Sequence, residues 1–194
     1  PKKLRGLTST FNYGDFNKLK EIHKKKKLSA VIMEVCRNSL PDINFLKNVR
    51  NFTKKNNIVL IFDECTTGFR RSLGGIHKIT NINPDLAMFG KALGNGYAIT
   101  AVLGKNKVMN SAKRSFISST FWGEKAGFVA GLSTISGMKR IKSWKKIINS
   151  GKQINKKWLE LKDKYDLDFK INGFESLTSF VFKKNHLKYK TFIT

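Results

Sequence analysis

The chain has 194 residues, of which 40% are hydrophobic, 11% are aromatic and only 3 are proline, a composition that supports a packed core and excludes wholesale disorder. No apolar run approaches the roughly 20 residues that a membrane-spanning helix needs, so we expect no contact with a membrane. The formal net charge of +25 is typical of nucleic-acid-binding proteins, but the lysines are spread over the whole chain, and we do not expect nucleic acid as a partner.

Helical and strand patterns alternate in the first half of the chain. Phe16, Leu19 and Ile22 recur at helical spacing behind Asp15, a residue that suits a helix cap. The predicted elements are, in order, a helix over 15–27, a strand over 28–35, a helix from Pro41-Asp42 to about residue 55, and strands over 58–62, 84–89 and 97–103. Such an alternation of helices with apolar strands predicts a mainly parallel sheet covered on both faces.

The pattern changes after Gly104. The remaining predicted elements are an Ala- and Gly-rich helix over 124–138, helices over 141–148 and 154–165, and strands over 167–171 and 177–182. We expect Asn172-Gly173 to form the turn between the last two strands. We place a domain boundary near Lys142, which divides the chain into part of a large domain over 1–141 and part of a small domain over 142–194.

The cysteines and histidines limit the chemistry that the chain can carry. Cys36 and Cys65 are the only cysteines, too few for a disulfide framework or a cysteine-rich zinc site, and we expect both to be small buried side chains. The three histidines lack the short spacing typical of metal ligands, so we expect no metal site.

Charged residues stand at the ends of three predicted strands. Glu34 ends the first strand, Asp63-Glu64 the second, and Lys91 follows the third. Because the carboxyl ends of parallel strands meet at one edge of a sheet, we expect these charges to be buried or half-buried there, and therefore paired or functional. An amine and a carboxylate are what pyridoxal 5'-phosphate (PLP) requires, for its Schiff base and its pyridine nitrogen. Spacing alone does not separate this interpretation from a structural salt bridge between Asp63 and Lys91.

Three motifs follow one another in chain order. They are Ile61-Phe62-Asp63-Glu64-x-x-Thr67-Gly68-Phe69-Arg70, Pro84-Asp85-Leu86-x-x-Phe89-Gly90-Lys91-x-Leu93-Gly94-x-Gly96 and Ser119-Thr120-Phe121. Together they resemble the class III PLP-dependent aminotransferases, a family that includes glutamate-1-semialdehyde aminomutases. The resemblance implies a type I PLP-dependent transferase fold: α/β, with a mainly parallel sheet sandwiched by helices, plus part of a small α+β carboxy-terminal domain. It also implies PLP-dependent amino-group transfer, by an aminotransferase or a 2,1-aminomutase of the glutamate-1-semialdehyde type.

The resemblance also implies roles for single residues. Lys91 would form the Schiff base and shuttle protons, Asp63 would hold the pyridine nitrogen, and Thr120 would reach the PLP phosphate across a homodimer interface. Glu34 and Glu64 would lie on the cofactor or substrate side, where a small-molecule amino donor and acceptor bind. We expect exposed apolar surface around Phe121-Trp122 and along the Ala- and Gly-rich helix, where a second subunit would pack.

Two departures from the family pattern leave the substrate open. Val35-Cys36-Arg37 stands where proline usually follows the strand-end glutamate, and Phe121-Trp122-Gly123-Glu124-Lys125 follows the threonine in place of small-Gly-Asn-Pro. The sequence does not separate transamination from intramolecular amino transfer either.

The ends of the chain lead to a further expectation. It begins at Pro1 without a signal-peptide pattern and stops at Thr194, so we expect a carboxy-terminal fragment of a cytoplasmic protein. The family's phosphate loop and ring-stacking aromatic would then lie upstream of Gly6. Two alternatives therefore stay open: a truncated non-catalytic relative, and a basic nucleic-acid-binding protein.

Overall fold

A computed structural model of the chain describes residues 6–118, 120 and 123–182. The first half contains α1 (Phe16–Lys25), β1 (Ala30–Glu34), α2 (Ile43–Lys55), β2 (Val59–Asp63), α3 (His77–Thr80) and β3 (Leu86–Phe89). The second half contains a 3-10 turn (Lys91–Leu93), β4 (Ala101–Gly104), α4 (Asn106–Met109), a 3-10 turn (Ala112–Arg114), α5 (Lys125–Ile141), α6 (Ser143–Lys164), β5 (Phe169–Asn172), a 3-10 turn (Glu175–Leu177) and β6 (Ser179–Phe182).

Aspartate caps begin the first two helices, at Asp15 as the sequence predicts and at Asp42, where the second helix is predicted to start. The Asp15 side chain accepts a hydrogen bond from the Lys18 N–H at 2.9 Å, and the Asp42 side chain accepts one from the Phe45 N–H at 3.0 Å. Each bond satisfies an amide that has no partner inside its helix. Lysines in the last turns of both helices complement the helix dipole.

The main sheet has the strand order β1-β2-β3-β4. The first three strands are parallel, whereas β4 runs antiparallel to β3. Side chains alternate between the two faces, so that Leu60 and Phe62 are buried while Asp63 lies on the other face. The core beneath the buried face joins residues of β1 and β2 to residues of α1 and α2: Val31, Met33, Leu60, Phe62, Leu19, Phe45, Leu46 and Val49. On the other face, Ile32 and Val102 are exposed.

Asp85, from the second motif, forms hydrogen bonds with residues of several elements. One of its carboxylate oxygens accepts from the Leu60 N–H and from Arg50, both at 2.9 Å, and the other accepts from Lys105 at 2.7 Å. Burial opposes ionisation of this carboxyl, but the bonds from Leu60, Lys105 and Arg50 outweigh it and hold the pKa of Asp85 below its ordinary range. The residue therefore aligns β2, β3, β4 and α2 at the amino edge of the sheet.

The carboxy-terminal region contains one predicted feature that is wrong. The sequence predicts two helices, over 141–148 and 154–165, but α6 is continuous across Gly151. Gly151 does not interrupt the helix, because it is where α6 packs against another segment: a Cβ there would overlap the carbonyl oxygen of Glu175. The two predicted strands are confirmed as the antiparallel pair β5 and β6.

Two further findings concern membranes and metals. Among the residues that the structure describes, no helix is both long and apolar enough to cross a membrane. The same residues contain no group of three or more His, Cys, Asp or Glu side chains arranged to hold a metal ion.

Candidate active site

The carboxyl edge of the main sheet brings together the residues that follow its strands. In the parallel register, Glu34 at the end of β1 pairs with Asp63 at the end of β2, and Asp63 pairs with Met88 of β3. Asp63 is half-buried, and one of its carboxylate oxygens accepts a hydrogen bond from the Cys65 N–H at 2.9 Å. This bond fixes the carboxylate at the point where the chain leaves the sheet.

Lys91 lies at the same edge, two residues beyond β3. Its Nζ donates a hydrogen bond to the hydroxyl of Thr66 at 2.7 Å, which joins the turn after β2 to the turn after β3. The expectation that this ammonium is buried is wrong, because Lys91 begins a 3-10 turn outside the strand and its side chain is exposed among the described residues. Thr66 is a partner that the sequence did not single out.

The backbone of Lys91 is unusual for a residue with a side chain. Its φ is 45°, in the left-handed region, where a non-glycine residue costs about 1–3 kcal/mol. Hydrogen bonds from the Leu93 N–H to the Gly90 carbonyl (3.0 Å) and from the Asn95 N–H to the Lys91 carbonyl (3.3 Å) hold this conformation. Gly94 is required in the same turn, because a Cβ there would overlap the carbonyl oxygen of Tyr97. Strained residues of this kind cluster at functional sites.

The charges of Asp63 and Lys91 both affect the pKa of the Cys65 thiol. Burial raises the pKa of Cys65, as do a hydrogen bond with Asp63 and the negative charge of that residue, whereas the positive charge of Lys91 opposes the rise. Both charged groups therefore lie close enough to act on one thiol. Asp63 and Lys91 form no ion pair with each other within the described residues, so a structural salt bridge between them is not observed.

The two cysteines differ in environment. Cys65 is only half-buried, so the expectation that it is buried is wrong, because it lies in the turn at the open edge of the sheet. Cys36 is buried as expected, and this burial is the main cause that raises its pKa to about 12. Cys36 is therefore a thiol that belongs to the core.

Glu64 points away from Lys91, into the protein. It is completely buried and accepts hydrogen bonds from the Thr67 hydroxyl and from the His77 N–H (3.0 Å), while His77 Nδ1 lies 2.9 Å from the same carboxylate oxygen. Burial opposes ionisation, but hydrogen bonds from His77, Thr67 and the Ile76 N–H outweigh it, so that the pKa of Glu64 lies below its ordinary value. No local pattern in the sequence indicates the contact between Glu64 and His77, because the two residues are 13 positions apart.

The other two predicted site residues are more open. Glu34 is partly exposed, and Arg37 lies 3.4 Å from both of its carboxylate oxygens. Thr120 is exposed. Ser119, Phe121 and Trp122 lie outside the described residues, so the expected apolar surface around Phe121-Trp122 stays a prediction.

The donor set at this edge fits PLP. Lys91 offers an exposed primary amine, and Asp63 offers a half-buried carboxylate. These are the two protein groups that the aldehyde and the ring nitrogen of the cofactor need. Both belong to short turns fixed by hydrogen bonds, as a preorganised site requires.

The chain matches a known family over nearly its whole length. The family described as Aminotransferase class-III matches residues 5–194. A glutamate-1-semialdehyde 2,1-aminomutase from Methanosphaera stadtmanae is 32% identical in an alignment that covers 95% of the chain and 46% of the relative. A 3-aminobutyryl-CoA aminotransferase from Cloacimonas acidaminovorans is 38% identical in an alignment that covers 72% of the chain and 36% of the relative.

Solved structures show the same fold. The FumI protein of Sphingopyxis sp. MTA144, in its PLP internal aldimine form, superposes with a TM-score of 0.86 at 23% identity, covering 91% of the chain and 45% of that protein. Ornithine aminotransferase from Plasmodium yoelii superposes with a TM-score of 0.77 at 25% identity, covering 90% and 48%. The α/β fold expected from the motifs is therefore confirmed, and the chain spans less than half the length of these relatives.

Proposed function

The chain belongs to the class-III aminotransferase family, and we propose that the complete protein transfers amino groups with PLP, as an aminotransferase or as a 2,1-aminomutase of the glutamate-1-semialdehyde type. The observation that carries the proposal is the placement of the Lys91 amine and the Asp63 carboxylate at one sheet edge, on turns that are joined by the Lys91–Thr66 hydrogen bond. The names of the relatives support the reaction class.

Each site residue has a role that its surroundings support. When bound, PLP supplies an aldehyde that condenses with amines and a ring that withdraws electrons from the substrate carbon. The Lys91 Nζ would hold the cofactor and move a proton at the substrate carbon, and Asp63 would hold the proton of the ring nitrogen. Thr66 orients the Lys91 amine, and Glu64 acts indirectly, by anchoring the turn that carries Asp63 and Thr66.

The assembly of the complete protein is part of the proposal. We propose a homodimer in which Thr120 contacts the cofactor phosphate of the other subunit. We also propose that 1–141 belong to a large domain and 142–194 to a small one, because the left-handed residue Lys142 separates α5 from α6 and the strands β5 and β6 form their own sheet. A cytoplasmic location stays a prediction.

The test is covalent labelling of the full-length protein. We expect borohydride reduction in the presence of PLP to leave a pyridoxyl group on Lys91, detected by peptide mass spectrometry. Lys91→Arg keeps the charge but has no primary amine, so the label should disappear. Asp63→Asn should retain the label but weaken cofactor binding, and Lys113→Arg, which changes an exposed lysine, should behave like the wild type. A label on another lysine, or no label, would contradict the assignment, and no label would favour a non-catalytic relative.

A further inference from the structure

The chain contains two Asn-Gly dipeptides, Asn95-Gly96 and Asn172-Gly173. Asparagine is a chemically labile residue, and it is most easily attacked when glycine follows it, because a residue without a Cβ leaves its own backbone nitrogen open to the preceding side chain. The attack also requires that water reaches the asparagine, that the glycine N–H is free of hydrogen bonds and that the backbone can rotate. The structure gives the two dipeptides opposite surroundings.

Asn95-Gly96 lies open in the turn that follows Lys91. Both residues are exposed, and nothing lies within 4 Å of the position that a Cβ of Gly96 would occupy. Within the described part of the chain, neither the Asn95 side chain nor the Gly96 N–H forms a hydrogen bond. The glycine nitrogen is therefore unpaired, and the peptide group has room to rotate toward the asparagine side chain.

Asn172-Gly173, by contrast, is held on both sides. Asn172 belongs to β5 and pairs with Ser179 of β6. The Gly173 N–H donates to the Asn38 carbonyl at 2.9 Å, and a Cβ at Gly173 would overlap the Leu177 carbonyl oxygen. Attack by this glycine nitrogen would first require local unfolding of the strand pair, so the fold protects Asn172.

We propose that Asn95 is a site of spontaneous deamidation in the folded protein and that Asn172 is not. The Gly96 nitrogen gives its proton to water and forms a bond to Cγ of Asn95, and the side-chain nitrogen leaves as ammonia. Water then opens the cyclic imide at either of its carbonyl carbons, which leaves an aspartate or an isoaspartate at this position. Solvent water is the only co-reactant, and no electrons are gained or lost.

The modification changes the turn that holds Lys91. The Asn95 N–H donates to the Lys91 carbonyl at 3.3 Å, and this bond helps to keep Lys91 at its left-handed φ of 45°. Both products add a negative charge to the turn, and isoaspartate also lengthens the backbone by a methylene group. Because a cofactor site depends on exact placement of its groups, we expect the modified protein to lose the reaction of Lys91 with PLP. This consequence rests on the proposed function, whereas the deamidation does not.

Incubation in labelled water tests the deamidation. The full-length protein is kept in mildly alkaline buffer made with oxygen-18 water, then digested in ordinary water at mildly acidic pH and analysed by peptide mass spectrometry. We expect the Asn95 peptide to take up the heavy oxygen and to separate into aspartyl and isoaspartyl forms, while the Asn172 peptide of the same digest stays unlabelled. Asn95→Gly, which the left-handed backbone accommodates, should abolish the label at this position.

Protein unfolded in urea is the control for the role of the structure. There both dipeptides are free, so Asn95 and Asn172 should take up the label at similar rates. No label on Asn95 in the folded protein, or equal labelling of both asparagines before and after unfolding, would overturn the proposal.

Borohydride labelling of Lys91 with PLP supplies the second readout. In samples taken during the incubation, the pyridoxyl-labelled fraction of Lys91 should fall in step with conversion of Asn95 in the wild type and stay constant in Asn95→Gly. Full labelling of Lys91 after Asn95 is converted would overturn the link to the cofactor site. Failure of the proposed function is distinguishable, because Lys91 would then remain unlabelled before any incubation, while deamidation of Asn95 is measured without PLP.

Discussion

Asp63 and Glu64 are adjacent carboxylates with opposite surroundings. Side chains alternate along and just beyond β2, so Asp63 faces the open edge while Glu64 turns into the protein between Thr67 and His77. The buried carboxylate anchors the turn, and the half-buried one stays available at the edge. Asp63 is therefore a candidate contact for the cofactor, and its neighbour Glu64 holds the turn in place.

Replacement of Glu64 by Gln should destabilise the protein. The ionised carboxylate satisfies several buried donors, so we expect the free energy of unfolding to fall by about 1–3 kcal/mol at pH 7, measured by urea denaturation. The pKa of Glu64 in the folded protein lies below the ordinary 4.5. The stability that the ionised carboxylate adds is therefore fully present above pH 4.5 and is lost as the pH falls through the pKa of the folded state. The difference in the free energy of unfolding between the wild type and Glu64→Gln should therefore become smaller in acid.

The control for this measurement is Glu160→Gln. Glu160 is exposed on α6, so its replacement should leave the free energy of unfolding nearly unchanged over the same pH range. A Glu64→Gln variant as stable as the wild type at pH 7 would show that the buried network does not stabilise the turn.

At the scale of elements, the turn after β2 contacts the 3-10 turn between β5 and β6. Arg71 pairs with Glu175 at 2.8 Å, 104 residues away in the chain, and its guanidinium lies 5.7 Å from the ring centroid of Phe174. Phe174 also belongs to the core beneath β1 and β2. Glu175 and Phe174, near the other end of the described chain, therefore hold the segment that carries Thr66 in place.

Helix α6 depends on a glycine for its contact with this 3-10 turn. Alanine favours a helix over glycine by about 1 kcal/mol, but a Cβ at Gly151 would overlap the Glu175 carbonyl. We expect Gly151→Ala to lower the free energy of unfolding by about 1–2 kcal/mol, because overpacking outweighs the gain in helix propensity. Thermal unfolding followed by circular dichroism measures the change.

Gly137 in α5 provides the matched control, since nothing lies within 4 Å of a Cβ there. Gly137→Ala should be neutral or stabilising by up to about 1 kcal/mol. If both substitutions stabilise the protein equally, the close approach of α6 to Glu175 is not a constraint.

At the scale of the whole molecule, α5 presents apolar side chains to solvent. Phe128, Val129 and Leu132 are exposed by 57%, 62% and 69%, and their cluster on one helix suits a subunit interface. We expect Leu132→Lys to shift the proposed homodimer of the full-length protein to monomers at micromolar concentration, because a desolvated, unpaired charge would oppose association. Sedimentation velocity measures the shift. Leu159→Lys, an equivalent change at an exposed leucine of α6, should leave the dimer intact.

The net charge of +25 should produce only nonspecific binding to nucleic acid. We expect the full-length protein to bind duplex DNA weakly and without sequence preference, with an affinity that falls steeply with salt because counterions are released. Fluorescence anisotropy at 50 and 200 mM salt measures both properties. Tight, sequence-selective binding at physiological salt would instead favour the nucleic-acid alternative.

Local patterns in the sequence determined much of the fold. The caps at Asp15 and Asp42, the apolar runs of the strands and the position of Lys91 two residues after β3 follow from spacing and residue type. These features depend on neighbours within a few residues, and such neighbours are visible in a single sequence. The same patterns predicted that charged residues gather at one edge of a parallel sheet, because the register of parallel strands leaves few other arrangements.

Only the tertiary structure decided which polar groups meet. The Lys91–Thr66 hydrogen bond, the Glu64–His77 contact and the Arg71–Glu175 pair join residues 25, 13 and 104 positions apart, and no local pattern specifies such partners. The continuity of α6 has the same origin: glycine breaks helices by intrinsic propensity, but close packing against another segment requires it. Propensity acts within one segment, whereas hydrogen-bond partners and close approaches depend on how the segments fold together.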